Sequence, residues 1–281
     1  MYQYSLRQRT NVSLYALYAL KLTEVSLPEI PWKLPADHRC LVVFDLHQDV
    51  AWLDRVLEAE AGDFDHLILG GDYFDSYQPI RTATVMETCM RLNALLEEMG
   101  DRLTVLFGNH DVPYYVASRM QDPGFFYHPF SDLKNYSTQS AREIAHALDS
   151  KFWQRARCFV RAHGFLLSHA GAAGKFWAGA ESEDAALDTL EQRCEDALAA
   201  ANHKRHSIFA PGCVRGGEGI GGITWQDWNM EFSDEEIPLP QIVGHTRSAS
   251  GARQKGRSWC LDGEQTCYGL LDADGLEVKI A

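Results

Sequence analysis

Short apolar runs alternate with longer segments of helical periodicity through the first part of the chain. Three of the runs predict buried strands, namely CLVVFD (40–45), HLILGG (66–71) and RLTVLFG (102–108). Between them, residues 48–62 and 80–100 carry apolar side chains at helical spacing, and the second of these segments ends at a glycine. Because the three strands are continuously apolar rather than alternating, they predict a parallel sheet with helices on both faces and therefore an α/β fold.

The pattern is less regular in the later part of the chain. Residues 112–130 are rich in aromatic side chains, Pro and Gly, and they predict a loop or lid; AREIAHALDSKFW (141–153) predicts one helix. ARCFVRA and GFLLSHAG (156–171) predict two strands joined by a hairpin, and residues 181–204 predict a helix with an acidic first turn. From residue 241 onward, short strands separated by Gly and Asp-Gly turns predict a β-meander.

Proline spacing divides the chain into an N-terminal extension, residues 1–35, and one domain, residues 36–281. Pro28, Pro31 and Pro35 cannot continue a helix or a central strand, so the end of the extension is predicted to be an extended linker. The extension lacks the uninterrupted apolar stretch and the A-x-A cleavage site of a signal peptide.

Composition and charge narrow the function classes. The 281 residues are 46% hydrophobic and 23% charged, as in globular proteins, and the formal net charge is −13. That charge argues against a broad electrostatic surface for nucleic acid or anionic membrane, but bound metal ions would still allow a phosphorylated substrate. The cysteines, seven in number and without a CxxC pair, predict reduced thiols and a cytoplasmic location. No apolar stretch approaches the roughly 18 residues of a membrane helix.

Metal-ligand side chains follow the predicted strands where each strand ends. In a parallel sheet the carboxyl ends of the strands share one edge, where sites in open α/β folds collect. Asp45 and His47 are two positions apart, so we expect their side chains to leave the first strand on the same side. The predicted convergence at this edge comprises Asp45, His47, Asp72, Asp75, Asn109 and His110, with His169 and His245 ending two later strands.

The ordered set D-x-H, G-D-x-x-D, G-N-H-D, a strand ending in His, and G-H-T resembles the calcineurin-like metallophosphoesterase superfamily. These motifs span residues 45–245. The resemblance implies an α/β fold of four layers, in which two mixed β-sheets form a sandwich flanked by α-helices. It also implies a site with two divalent metal ions.

The resemblance assigns the ligands position by position. Carboxylate, imidazole and amide ligands suit manganese, with iron or zinc as alternatives, and the absence of cysteine ligands argues against a structural zinc site. Asp45 and His47 would hold the first metal, Asp72 would bridge both, and Asn109, His169 and His245 would complete the second.

The resemblance also implies a mechanism in which hydroxide on the two metals attacks phosphorus in line. His110 would protonate the leaving oxygen, and Asp75 would orient His110 and raise its pKa. We expect a phosphomonoesterase acting on a phosphoprotein or a small phosphorylated metabolite. The alternatives are hydrolysis of a dinucleoside polyphosphate or a phosphodiester and, in a different class, an inactive scaffold, which would be expected to have lost ligands.

Two positions depart from the common motifs of the superfamily. Many members end with G-H-x-H, whereas here Arg247 occupies the last position. Serine/threonine phosphoprotein phosphatases and bis(5′-nucleosyl)-tetraphosphate hydrolases also lack that histidine, so the chain is more similar to their branch. Those enzymes usually carry a phosphate-binding Arg where this chain has Ser76. Arg215 and Arg247 are the candidates for binding phosphate instead.

Overall fold

Two mixed β-sheets pack face to face and carry helices on their outer sides. The computed structural model describes residues 33–77, 82–124, 130, 136–177, 180–201, 204–235 and 237–281. Within these residues, one sheet has six strands in the order β11-β10-β1-β2-β3-β4, and the other has five in the order β5-β6-β7-β9-β8. The predicted α/β sandwich is confirmed.

The strands are short, and most are fully buried. They are β1 (Cys40–Val43), β2 (His66–Leu69), β3 (Leu103–Leu106), β4 (Ala156–Arg157), β5 (Phe159–Ala162), β6 (Phe165–Ser168), β7 (Gln241–Val243), β8 (Arg253–Lys255), β9 (Ser258–Cys260), β10 (Cys267–Asp272) and β11 (Gly275–Ile280). The α-helices of the described residues are α1 (Val50–Ala59), α2 (Val85–Met99), α3 (Asp111–Ser118), α4 (Thr138–Ala147), α5 (Ser150–Arg155) and α6 (Glu183–Ala200).

Strands β1 to β4 are parallel to one another, with Cys40 beside His66 and Leu67 beside Leu103. In the other sheet, β6, β7 and β9 are parallel. The carboxyl ends of both parallel sets face the same region, because β1, β2, β3, β6 and β7 all lead into the candidate site. The predicted parallel sheet is confirmed for β1 to β4; antiparallel strands extend this sheet on the β1 side and form both edges of the second sheet.

Strand β1 explains why its sequence is apolar at every position. Leu41 and Val43 belong to the core under the helices, with Trp52 and Leu53 of α1. The alternate side chains on the other face belong to the core between the two sheets, which comprises Cys40, Val42, Phe44, Ile68, Leu106, Val160, Leu167, Ile242 and Leu271 among others. Successive strand residues point to opposite faces, so a strand covered on both sides needs apolar residues throughout.

The helix boundaries follow capping signals in the sequence. Asp49 accepts a hydrogen bond from the backbone N–H of Trp52 at the start of α1. Thr84 and Glu87 form a reciprocal capping box at the start of α2, and Gly100 ends that helix at a φ of 54°. The hairpin predicted at His163-Gly164 is present as the β5–β6 connection. Both turn residues have positive φ, as a two-residue hairpin turn requires.

Two of the helix and loop expectations were wrong. Residues 112–130 are not a loop at their start, because α3 occupies Asp111–Ser118 and buries its aromatic side chains. Pro113 lies in the first turn of that helix, where its missing N–H forfeits no helical hydrogen bond. The helix expected over 141–153 is two helices, because Leu148 is extended and Asp149 caps the second.

The expected C-terminal meander is divided between the sheets. β8–β9 and β10–β11 are hairpins, but β10 pairs with β1 in the first sheet and β9 pairs with β7 in the second. The polar backbone groups along the free edge of β1 need a neighbouring strand, and β10 supplies it.

The remaining expectations concern the N-terminal extension, the cysteines, the cellular location and membrane spans. Of the predicted extension, 33–35 alone is described; Lys33 bridges to Arg161 of β5, and Leu34 is buried between the sheets. Every cysteine lies in the described part of the chain and is a free thiol. The cytoplasmic location stays a prediction. Among the described helices, none combines the length and apolar character that a membrane span requires.

Candidate active site

The backbone turns sharply where the strands end, and it places the candidate side chains in unusual conformations. β1 ends at Val43, before Asp45 and His47. The expectation that these two side chains point to the same side because they alternate along a strand was therefore wrong. Instead both residues have positive φ, 53° and 42°, as do Asp72 at 56° and His245 at 68°. Positive φ is uncommon for residues other than glycine and collects at functional sites, where the surrounding structure enforces it.

Two glycines of the motifs allow the strand-end loops to meet. A Cβ at Gly108 would overlap the backbone N and the Oδ1 of Asp72. A Cβ at Gly244 would overlap the Oδ2 of Asp45. The G-N-H-D and G-H-T motifs therefore begin with glycine because a carboxylate from another loop occupies the space of a side chain.

Asp45, His47 and Asp72 form the first buried cluster that could hold a metal ion. The Nε2 of His47 lies 3.8 Å from the Oδ1 of Asp45 and 3.6 Å from the Oδ2 of Asp72. The Nδ1 of His47 lies 3.0 Å from the carbonyl oxygen of Phe74. A backbone acceptor at Nδ1 fixes the tautomer and leaves Nε2 with its lone pair toward the cluster.

Asp72, His169 and His245 form the second cluster, and their ligand atoms lie within 4.8 Å of one another. The Nε2 of His169 lies 3.3 Å from the Oδ2 of Asp72 and 3.0 Å from the Oδ1 of Asn109. The Nδ1 of His169 lies 2.9 Å from the carbonyl oxygen of Gly70, which again directs Nε2 to the cluster. Asp72 belongs to both clusters, as a bridging ligand must.

The electrostatics of the clusters fit the binding of cations. The Oδ1 of Asp45 and the Nε2 of His245 are buried and have no hydrogen-bond partner among the residues that the structure describes. Burial, followed by the charge of Asp262, raises the pKa of Asp45 well above its ordinary value. Burial opposes the charged form of His169, but Asp72 outweighs it and raises the pKa to about 10, so a metal ion would have to displace the proton that this ring holds without metal. Burial lowers the pKa of His47 to about 4, so this ring is neutral as a metal ligand must be.

His110 lies beside the clusters and is paired with Asp75. Its Nδ1 is 2.8 Å from the Oδ2 of Asp75, and the hydroxyl of Tyr114 donates to the Oδ1 of Asp75 at 2.5 Å. The Nε2 of His110 faces the clusters, 4.0 Å from the Oδ2 of Asp72. Burial opposes the charged imidazole, but Asp72 and Asp75 outweigh it, and the pKa of His110 is raised. The pair is therefore arranged to keep a proton on Nε2.

Asp111 was missed as a functional residue, although it stands in the quoted G-N-H-D motif. Its fully buried carboxylate accepts hydrogen bonds from the backbone N–H groups of Asp72, Tyr73 and Gly108, at 2.6, 3.0 and 2.8 Å. Asp111 thereby ties the loop after β2 to the loop after β3 and positions Asp72. In the sequence, an Asp that follows Gly-Asn-His before a predicted loop gave no signal that distinguished this role from that of a turn residue.

Tyr77 was also missed, because nothing in the motif spacing marks it. Its hydroxyl lies 3.0 Å from the Nε2 of His110, and its ring centroid lies 4.4 Å from that of His47. The guanidinium of Arg247 lies 4.8 Å from the centroid of the same ring. Tyr77 thus forms part of a cleft wall next to the atom of His110 that would meet a substrate.

Arg247 lies in a cleft with His47 of the first cluster, and Arg215 lies near His245 of the second. Arg247 lines a cleft together with His47 and Tyr77, and its NH2 lies 3.1 Å from the Oε1 of Glu264. The NH2 of Arg215 lies 3.3 Å from the Oδ2 of Asp227. Arg215 is close enough to His245 to contribute to the lowered pKa of that ring, after burial and His169.

The model of one protein family, the calcineurin-like phosphoesterases, matches residues 38–246 of this chain. The chain belongs to this family. Calcineurin-like phosphoesterases are hydrolases that act on phosphoric esters and depend on two metal ions, and the two clusters that share Asp72 agree with that dependence.

Two solved structures share the fold of this phosphoesterase, and a third is similar to it with a lower TM-score. A cold-active protein-tyrosine phosphatase from a psychrophilic Shewanella species has a TM-score of 0.59 at 16% identity, over 92% of this chain and 83% of that chain. A point mutant of a cold-active protein tyrosine phosphatase gives a TM-score of 0.60 at 16% identity, over 92% and 83% of the two chains. A protein serine/threonine phosphatase from Saccharomyces cerevisiae has a TM-score of 0.48 at 15% identity, over 87% and 79% of the two chains. No curated protein sequence matches this phosphoesterase.

Proposed function

We propose that this phosphoesterase hydrolyses phosphomonoesters, with a phosphoprotein or a small phosphorylated metabolite as substrate. In this proposal, Asp45, His47 and Asp72 hold one divalent cation, and Asp72, Asn109, His169 and His245 hold the other. Manganese is the first candidate, with iron or zinc as alternatives, because the ligands are oxygen and imidazole nitrogen without cysteine. Bound metals would activate water and stabilise the charge that develops on the phosphoryl oxygens.

The observation that carries the proposal is the arrangement of His110. Its Nδ1 is held by Asp75 at 2.8 Å, and its Nε2 faces the cation clusters. A protonated imidazole at this position can donate to the oxygen that leaves phosphorus. An ester of a serine or of a sugar hydroxyl is a poor leaving group without such a proton, so this pair suits the substrates proposed.

The charges around the cleft support a monoester rather than a diester. A phosphomonoester carries about two negative charges at neutral pH, whereas a diester carries one. Arg247 on the cleft wall adds a cation to the two metal positions, and its planar guanidinium can bind two phosphate oxygens at once. The Shewanella structure with the same fold is described as a protein-tyrosine phosphatase, and a phosphorylated tyrosine is a phosphomonoester.

A substrate panel tests the proposal. Metal-loaded protein is assayed in parallel on a generic phosphomonoester, a phosphodiester, a dinucleoside tetraphosphate and a phosphopeptide. We expect the highest kcat/KM on a monoester substrate. Higher kcat/KM on the dinucleoside tetraphosphate or the diester would instead support the alternative hydrolase of the same family. Absence of hydrolysis in the presence of two bound metals would point to a scaffold.

A further inference from the structure

Asp262 is a buried carboxylate at the candidate site to which neither the motifs nor the proposed ligand set gives a role. It follows β9, and β9 lies beside β7, the strand that leads to His245. The residue is 2% exposed, and it lines the same cleft as His47 and Arg247. Its sequence context, an apolar strand ending in Asp, is the same signal that marks Asp45.

One oxygen of Asp262 has no partner among the described residues. Its Oδ1 accepts the backbone N–H of Glu264 at 3.3 Å, whereas its Oδ2 is buried without a hydrogen bond. The Oδ1 of Asp45 is buried and unpartnered in the same way. Asp262 also exerts the largest repulsion of any charged group on Asp45. Two buried carboxylates that repel each other, each with an unpaired oxygen, are costly unless a cation lies near both.

The loop that carries Asp262 is held next to the candidate site by hydrogen bonds. Gln265 donates from its Nε2 to the carbonyl oxygen of Asp45 at 2.6 Å. Ser248, three residues after His245, donates its backbone N–H to the carbonyl oxygen of Asp262 at 3.0 Å. Glu264 and Gln265 both have positive φ, 57° and 58°. The strained loop is therefore fixed on both sides, and it holds the carboxylate of Asp262 in place.

The ligand set leaves a deficit of negative charge that Asp262 would reduce. Two divalent cations carry four positive charges, and the proposed ligands supply only the carboxylates of Asp45 and Asp72. Arg247 stands in the position where many relatives have another histidine, and its charge is paired with Glu264, so it supplies neither a ligand nor a negative charge to the clusters. A third carboxylate next to Asp45 offsets part of this positive charge.

We propose that Asp262 adds its carboxylate to the surroundings of the metal position formed by Asp45, His47 and Asp72, and raises the affinity of that position for a divalent cation. The inference rests on the proposed function, since it requires that the two clusters bind metal. Asp262 would be a positioning residue and not a catalytic one, because its carboxylate would act on the bound metal ion and would not touch the substrate.

The test is the binding of Mn²⁺ to metal-stripped protein, followed by calorimetry and by metal analysis after dialysis. We expect wild type to bind two ions and Asp262→Asn to bind one of the two about 10- to 100-fold more weakly, with the other unchanged. Asparagine keeps an acceptor for the N–H of Glu264. Asp274→Asn changes an exposed carboxylate in the turn between β10 and β11 and is expected to leave both affinities unchanged.

A second readout separates a metal role from a structural one. Without metal, Asp262→Asn should unfold at a higher temperature than wild type, because it removes an unpaired buried charge beside Asp45. If the asparagine variant is insoluble, Asp262→Ser serves in its place, since serine also offers an acceptor. Equal Mn²⁺ affinity in the variant and in wild type overturns the inference and leaves the proposed function intact. Failure of wild type to bind Mn²⁺, Fe²⁺, Zn²⁺ or Mg²⁺ contradicts both, and this outcome is distinct because it is seen before any variant is made.

Discussion

The Nδ1 of His110 lies 2.8 Å from the Oδ2 of Asp75, and this pair lies beside the buried carboxylate that the two clusters share. The hydrogen bond fixes the imidazole so that Nε2 faces the cleft. A charged partner on Nδ1 also favours the protonated ring. The hydrogen bond between Asp75 and His110 therefore sets the orientation of the proposed acid and favours its protonated form.

Replacing His110 by glutamine should slow hydrolysis in a way that depends on the leaving group. We expect kcat to fall about 100- to 10,000-fold on an alkyl phosphate, because its leaving oxygen needs a proton. The fall should be much smaller on p-nitrophenyl phosphate, since nitrophenolate leaves without one. Steady-state kinetics on both substrates measure the difference, and full activity of the variant on the alkyl phosphate would falsify the role of His110.

Asp75→Asn should shift the pH profile of kcat. Burial lowers the pKa of His110, while Asp72 and Asp75 raise it above its ordinary value. Asparagine still accepts from Nδ1 but lacks the negative charge, so the protonated acid is lost at lower pH. We expect the basic limb of the profile to move down by about one pH unit. An unchanged limb in the variant means that another group sets it.

Asp111→Asn should weaken both the fold and metal binding. The carboxylate of Asp111 accepts hydrogen bonds from the backbone N–H groups of Asp72, Tyr73 and Gly108. In asparagine the NH2 group would replace one of the accepting oxygens. At least one of these hydrogen bonds would then be lost, because two donors would face each other. We expect a loss of about 1–3 kcal/mol in the free energy of unfolding of the metal-loaded protein, measured by urea denaturation. The bound metal per chain should also decrease.

The matched control for this variant is Asp101→Asn, which changes a fully exposed carboxylate. It should alter neither stability nor metal content. Equal behaviour of the two variants would show that Asp111 does not hold the loop of Asp72.

Arg247→Ala should raise KM for a phosphomonoester by about 10-fold with little change in kcat, because it removes a charge-assisted contact to phosphate from the cleft wall. Arg215→Ala should have a smaller effect, because Arg215 is paired with Asp227 and lies near His245, whereas Arg247 lines the cleft with His47 and Tyr77. Kinetics of both variants decide between them. A rise in KM for neither places the phosphate contact on another residue.

The sheet and the convergence of the candidate residues could be predicted from the sequence because both rest on local patterns. Continuous apolar runs marked strands covered on both faces, and polar ligand types at their ends marked one edge. The pair of His110 and Asp75 came from the resemblance of the motifs. Asp262 carried the same strand-end signal as Asp45, and it was treated as part of a turn.

Other features of the site depend on contacts that sequence spacing does not contain. Asp45 and His47 have positive φ, and their backbone N–H groups donate to the carbonyl oxygens of Gly71 and Asp72 in the loop after β2. Strand alternation therefore gave the wrong reason for their proximity. The hydroxyl of Tyr77 contacts the ring of His110, which is 33 positions away in the sequence. The carboxylate of Asp111 binds the backbone N–H of Asp72, which is 39 positions away. Helix α3 was missed because proline and aromatic residues are common in loops, whereas here they occupy a buried first turn and a packed face.

In the proposed function, two bound metals make this chain a phosphomonoesterase. The most direct measurement is the rate of p-nitrophenyl phosphate hydrolysis by metal-stripped protein while Mn²⁺ is added, with Fe²⁺, Zn²⁺ and Mg²⁺ in parallel. We predict no activity without metal and full activity once two ions are bound per chain. Hydrolysis that persists in the stripped protein, or that fails with every metal at every ratio, would contradict the claim.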